Sequence, residues 1–129
     1  MSGMGAAKAF RFAESVVGML HDGTSVLASM TNGPPLRFEG FTVGCYLMTQ
    51  SAPHDGEIHP DGDELLLVIS GECSAVLDTT DGEETVGLRA GDGFIVPQNT
   101  WHRVVIHEPS LLVFMTPGPR SEHRGLRSD

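Results

Sequence analysis

The chain is short of cysteine, of basic residues, of amphipathic aromatics and of long apolar runs, and each shortage closes off a class of function. Its two cysteines, Cys45 and Cys73, are too few for the disulfide framework of a small secreted domain. Both are expected to be reduced thiols acting as small buried side chains. Eight Lys and Arg against seventeen Asp and Glu give a formal charge of -9, which repels a polyanion and argues against DNA or RNA as a partner. No uninterrupted apolar run exceeds that of Leu65–Ile69, far too short to span a bilayer, so no membrane role is expected. Residues 1–20 are interrupted by Lys8, Arg11 and Glu14 and lack the apolar centre of a secretory signal, which makes a cytoplasmic location the expectation.

What the chain does have is turn formers. Sixteen Gly and eight Pro, set between short apolar runs, indicate an all-β chain, and 129 residues suit a single domain with one core. Residues 1–35 are assigned to an N-terminal arm, in which 10–30 fits a short helix or a strand equally well. Asn32-Gly33-Pro34-Pro35 is a strong turn signal that separates this arm from a β-barrel domain over 36–116. From Pro117 to the end, Pro, Gly, Ser and charge dominate, so 117–129 reads as a mobile tail unless a partner holds it.

Within the barrel region, 41–49 alternates Phe41, Val43, Cys45 and Leu47 against Thr42, Gly44, Tyr46 and Met48. In 64–70, an inward Glu64 sends Leu66, Val68 and Ser70 inward with it and turns Leu65, Leu67 and Ile69 outward. Thr80-Asp81-Gly82 signals a hairpin between 73–78 and 85–88. Further strands follow at 94–97, 102–107 and 111–115, and this regular spacing of short strands indicates a sandwich or barrel.

Two segments carry chemistry. In the first, His59 is followed by Glu64 and, after six more residues, by Gly71; in the second, Gly91, Pro97 and His102 fall at fixed offsets. As a pair, across about residues 54–106, they resemble the two motifs of the cupin superfamily. The resemblance implies an antiparallel double-stranded β-helix, or jelly-roll barrel, with a divalent metal held by motif residues. This chain departs from the usual pattern in three places. Glu57 stands where the family usually has its first His, Asn99 replaces the second motif's Gly, and Ile106 stands where many members have Asn. The Asn99 change is mild, because Asn tolerates a left-handed backbone better than most residues.

The residues support a metal site in their own right. Glu57 and His59 are two apart, so on an extended segment both leave the same face. Glu64 and His102 reach that point from the starts of two other strands. Imidazole and carboxylate donors without sulfur disfavour a structural zinc cage and suit Fe, Mn, Ni or a catalytic Zn. If Glu57 turns away, His59, Glu64 and His102 remain as a two-His-one-carboxylate set. His54, in the same loop, is a third option, either replacing Glu57 or serving as acid or base. The plainer alternatives are an exposed acidic loop around Asp55, Asp61 and Asp63, and a core histidine at 102. Trp101 neighbours an inward His102 and is expected to point away from the cavity. Arg89, Arg103, Glu83 and Glu84 are read as surface charges.

Two functions follow from this site, and the fold does not choose between them. One is a metal-dependent oxygenase, isomerase or lyase acting on a small polar or aromatic molecule in the barrel. The other is a non-catalytic small-molecule binding or sensor domain. A homodimer is expected in either case, because the outward Leu65, Leu67 and Ile69 row should not stay wet.

Overall fold

The computed structural model describes residues 7–33 and 35–125, so part of the Asn32–Pro35 turn and the ends of both assigned terminal segments lie outside the described residues. Among the described residues there is no helix, and therefore none long and apolar enough to cross a membrane. Eleven strands run in chain order: β1 (Ser15–Leu20), β2 (Ser25–Ser29), β3 (Gly40–Met48), β4 (Glu57–Ile58), β5 (Glu64–Ser70), β6 (Glu72–Thr79), β7 (Gly82–Arg89), β8 (Gly93–Val96), β9 (His102–Ile106), β10 (Ser110–Gly118) and β11 (Glu122–His123). They form a six-stranded sheet in the order β2-β1-β3-β10-β5-β8 and a five-stranded sheet in the order β11-β4-β9-β6-β7. All pairings described are antiparallel, and the two sheets make a jelly-roll barrel.

The ambiguous N-terminal stretch is strand. Gly18 sits in β1 where a Cβ would come within 2.5 Å of the Phe38 ring, Val16 is buried beside it, and β1 pairs on both sides, with β2 and β3. Pairing of β1 with β3 ties the hairpin into the larger sheet. At the other end, 117–125 is not loose. Residues Pro117 and Gly118 complete β10, and β11 pairs with β4.

Period-two alternation explains what lies inside. Along β5, Glu64, Leu66 and Val68 are buried, while Leu65 and Leu67 are half-buried on the outer face. Ser70 departs from the expected inward row and is exposed. A bulge at this point pairs Leu111 with Ser70 but Leu112 with Val68, and the extra residue breaks the parity. Leu66 and Val68 join Cys73, Ala75, Leu77, Leu88 and Leu112 in the apolar core between the sheets. That core fills one end of the barrel. Glu64, at the start of the same inward row, stands where the core stops and a cavity begins.

The motif glycines have local reasons. Gly71 turns β5 into β6 at φ 94°, and a Cβ there would lie 2.4 Å from the carbonyl oxygen of Pro109. Asn99 adopts φ 59°, the left-handed conformation that the family's Gly would take, and its N–H donates to the His59 carbonyl at 3.2 Å.

Candidate metal centre

Three strands bring the candidate ligands together. Glu57 lies opposite His102 in the β4–β9 pairing, and His59 follows Glu57 on the same side of the extended segment. Glu64 enters from β5 in the facing sheet. Each of Glu57, His59, Glu64 and His102 offers one ligand atom within 4.8 Å of all the others. His59, Glu64 and His102 are buried at 2%, 4% and 6% exposure, and Glu57 is half-buried. His54 is not in the group. Its Nδ1 accepts the Gly56 N–H at 3.1 Å, and its Nε2 faces Glu57 Oε1 at 3.4 Å, so it steadies Glu57 from behind.

The hydrogen bonds around the cluster leave electron pairs pointing inward. His102 Nδ1 lies 3.0 Å from the Thr100 carbonyl, which can only accept, so that nitrogen carries a proton. In the neutral ring Nε2 is then a bare acceptor, yet it lies 3.0 Å from Glu64 Oε1, another acceptor. A proton shared between them, or a metal ion, makes that approach favourable. His59 is held in a similar way, by a serine hydroxyl that can match either ring tautomer. Its Nδ1 is 2.8 Å from Ser121 Oγ, while Nε2 is buried without a hydrogen-bond partner among the described residues. That nitrogen lies 3.3 Å from Glu64 Oε2 and 3.5 Å from Glu57 Oε2, close to both carboxylates but aligned for a hydrogen bond to neither.

Protonation shifts in the metal-free site carry the same message. Burial alone would push the Glu64 carboxyl up, but the His102 and His59 rings beside it outweigh burial and hold it down at about 2. Burial works against a charged His102, and the contact with Glu64 overcomes it and raises that imidazole above its ordinary range. The site therefore holds a buried anion and draws positive charge towards it. Thr116, from β10, fixes the carboxylate by donating its hydroxyl to Glu64 Oε2 at 2.6 Å.

These features fit a divalent ion. Two carboxylates would neutralise it beside two imidazole nitrogens, and each of the three buried ligands is bonded to an orienting group. No thiol takes part, since Cys73 belongs to the apolar core and Cys45 is half-buried on β3.

Glu57, Glu64 and His102 also form part of the wall of a cavity of about 790 Å³, which is lined as well by residues of β3 and the loop 49–54. Thr42, Gly44, Tyr46 and Met48 are the inward set of β3 that line it. Trp101 lies outside this cavity, with the Arg124 guanidinium 4.4 Å over its ring. Arg103 borders the cavity but is paired to Glu83 at 2.7 Å, and Arg89 is exposed. Two acidic residues of the loop before β5 act as latches. Asp61 receives the Arg120 backbone N–H and guanidinium, and Asp63 accepts the Gln98 N–H at 2.8 Å.

Sequence reasoning passed over Ser121, Thr116 and Arg124. Thr116 carried a signal, as a polar residue in the inward row with Leu112. Ser121 and Arg124 carried none, because they reach the site by a chain reversal that local spacing does not reveal.

A cupin-domain family profile matches residues 48–116, more than half of the chain, and takes in all four candidate ligands. The chain is 42% identical over 50 residues to "Uncharacterized protein YdbB" of Bacillus subtilis (strain 168), a match covering 39% of this chain and 42% of that protein. Among solved structures, Peruvianin-I, described as a cysteine peptidase from Thevetia peruviana latex, superposes with TM-score 0.56 at 20% identity, over 68% of this chain and 58% of that one. A cupin-2 domain containing protein from Shewanella frigidimarina NCIMB 400 gives TM-score 0.52 at 15% identity, over 70% of this chain and 85% of that one. At these identities the likeness is one of fold alone. Burial pushes the Cys45 and Cys73 thiols up, so neither is poised as a thiolate nucleophile. With the family profile spanning more than half its length and laid on a two-sheet antiparallel barrel, the chain belongs to the cupin family.

Proposed function

We propose that this protein binds one divalent first-row metal ion, Fe, Mn, Ni or Zn, through His59, Glu64, His102 and Glu57, and acts with it on a small molecule held in the adjoining cavity. The observation that carries this reading is the buried His59 Nε2, which has no hydrogen-bond partner among the described residues and faces two carboxylates. Leaving a buried polar atom unpaired costs about 1–3 kcal/mol, and a metal ion removes that cost. When bound, the ion would supply Lewis acidity or a centre for oxygen activation.

The chain's own residues do the rest. Ser121 and the Thr100 carbonyl hold the two rings with Nε2 inward, and Thr116 fixes Glu64. Glu57, the most exposed of the four, faces the cavity and is the ligand best placed to shift as a small molecule enters. His54 lines the same cavity with its Nε2 on Glu57, which puts a proton carrier at the cavity wall. An ordered acid or base beside the candidate metal favours an enzyme over a binding module of the same fold.

Metal analysis tests the reading directly. Wild-type protein is expected to carry or take up about one equivalent of metal, and His102→Ala to lose it. Glu57→Ala should weaken binding without abolishing it, and Glu57→His should retain binding but change which metal is preferred. A wild-type protein that holds no metal by elemental analysis and binds none by calorimetry would refute the proposal.

A further inference from the structure

Two of the polar groups on the cavity wall that the metal site leaves unused are a phenol and a guanidinium, those of Tyr46 and Arg37. Tyr46 lies on the inner face of β3, folded over Gly44, where a Cβ would stand 2.6 Å from its hydroxyl oxygen. Glycine at 44 is what makes room for the ring. The Tyr46 hydroxyl is itself buried and has no hydrogen-bond partner among the described residues. Burial holds the phenol above its ordinary range, against an opposing pull from Arg37, so it is an O–H donor at physiological pH. Arg37 is half-buried on the wall of the same cavity, near enough for its charge to act on Tyr46.

The other guanidinium groups around the site are committed: Arg103 to Glu83, Arg120 to Asp61 and Arg124 to Asp78. Arg37 has no ion pair among the described residues. A half-buried cation on the cavity wall, with a buried and unpaired donor in the same wall, calls for an acceptor that carries negative charge. Charge counting sets how much. A divalent ion is neutralised by Glu57 and Glu64, which leaves the single positive charge of Arg37. That balances a monoanion, whereas a phosphate dianion would leave uncompensated charge in a desolvated place. The remaining wall near this point includes Met48, Val104 and Phe114, which suit an apolar body.

We propose that the cavity binds a small organic monocarboxylate, with its head on Arg37 and Tyr46 and its apolar body against Met48, Val104 and Phe114. This inference rests on the metal reading, because without the ion Glu57 and Glu64 repel such a ligand. It names a ligand class for the site and assigns Arg37 and Tyr46 to recognition.

Calorimetry on the full chain loaded with Zn(II) or Mn(II) tests it, using benzoate and hexanoate against the neutral benzamide and hexanamide. The acids should bind more tightly than the amides. Arg37→Gln should lower acid affinity by about tenfold or more while barely moving the amides. Tyr46→Phe should lower acid affinity by a smaller factor. Thermal unfolding and metal content report whether each variant is folded. Should Arg37→Gln fail to fold, Arg37→Lys and the acid-to-amide ratio of the wild type carry the test. Acids that bind no better than amides, or acid affinity unmoved by Arg37→Gln in folded, metal-loaded protein, would overturn the proposal. A chain that takes up no metal fails the metal reading instead. An acid preference that still depends on Arg37 would then keep the carboxylate site, and its absence would overturn both.

Discussion

Replacing Ser121 with Ala should weaken metal binding although Ser121 touches no metal. For His59 Nε2 to act as a ligand, Nδ1 must carry the proton, and Ser121 Oγ at 2.8 Å is its acceptor. The His59 ring is 2% exposed, so water does not readily replace the hydroxyl. Without it, the Nδ1–H is buried unpaired, at about 1–3 kcal/mol, and the ring is free to adopt the other tautomer, which cannot ligate through Nε2. Loss of such an orienting partner typically lowers metal affinity about 10- to 100-fold, equivalent to roughly 1.4–2.7 kcal/mol. Competition against a chromophoric chelator measures this, with Ser121→Thr as the variant that keeps the hydroxyl and should restore much of the affinity. Arg124→Ala should act in the same direction, since Arg124 ties the strap that carries Ser121 to Asp78 at 2.9 Å and to the Asp55 carbonyl at 3.0 Å. Wild-type affinity in Ser121→Ala, or equal losses in Ala and Thr, would show that His59 is oriented by packing alone.

Two further outcomes are expected. In the metal-free protein, Glu64 is held at about 2, below its ordinary 4.5, so its contribution is full above about pH 4.5 and is lost as pH falls towards 2. His102 is raised above 6.5, so its contribution is full below that value and is lost as pH climbs through the raised one. The Glu64–His102 contact should therefore stabilise metal-free protein most between about pH 4.5 and 6.5, with the Glu64 part on the order of 3 kcal/mol. Metal requires neutral imidazoles, so loaded protein should gain stability with rising pH over the range where metal-free protein loses it. Melting temperatures across pH with and without metal check this, and a flat metal-free profile from pH 4 to 8 would sink it. The second outcome concerns assembly. One apolar residue from each strand of the larger sheet, Leu27, Val17, Val43, Met115, Leu65 and Ile95, lines up across its outer face, with Leu47 and Ile69 exposed nearby. A second copy is proposed to cover it. Light scattering should give a dimer at micromolar concentration that Leu47→Glu with Ile95→Glu converts to a monomer, whereas a monomeric wild type would refute the pairing.

The barrel was legible because its signals are periodic and local. Turn residues broke the chain into strands, period-two alternation set Glu64, Leu66 and Val68 inward, and paired motifs placed Glu64 and His102 at strand starts. Where locality failed, so did the reading. The parity of Ser70 was lost to a bulge that depends on how β10 pairs with β5, a relation between residues about forty apart in sequence. The 10–30 stretch satisfies helix and strand patterns alike, and what decides it is the free edge of β3, to which β1 adds.

The C-terminal segment makes the point most sharply, because its composition is that of a mobile tail. Nothing in Pro, Gly, Ser and charge can bury enough apolar surface to order itself. What orders 117–125 is polar and borrowed: the β11–β4 pairing, Arg120 on Asp61, and Arg124 across Trp101 and Asp78. Every one of those partners is far away in sequence and already fixed by the barrel. The segment also lies beyond the family match, which stops at residue 116, yet it supplies the hydroxyl that orients His59. In this chain a motif residue is thus set by a residue outside the motif. The ligand set can be read from spacing, whereas its preorganisation belongs to the tertiary structure and is where this cupin is free to differ from others that share the same motif residues.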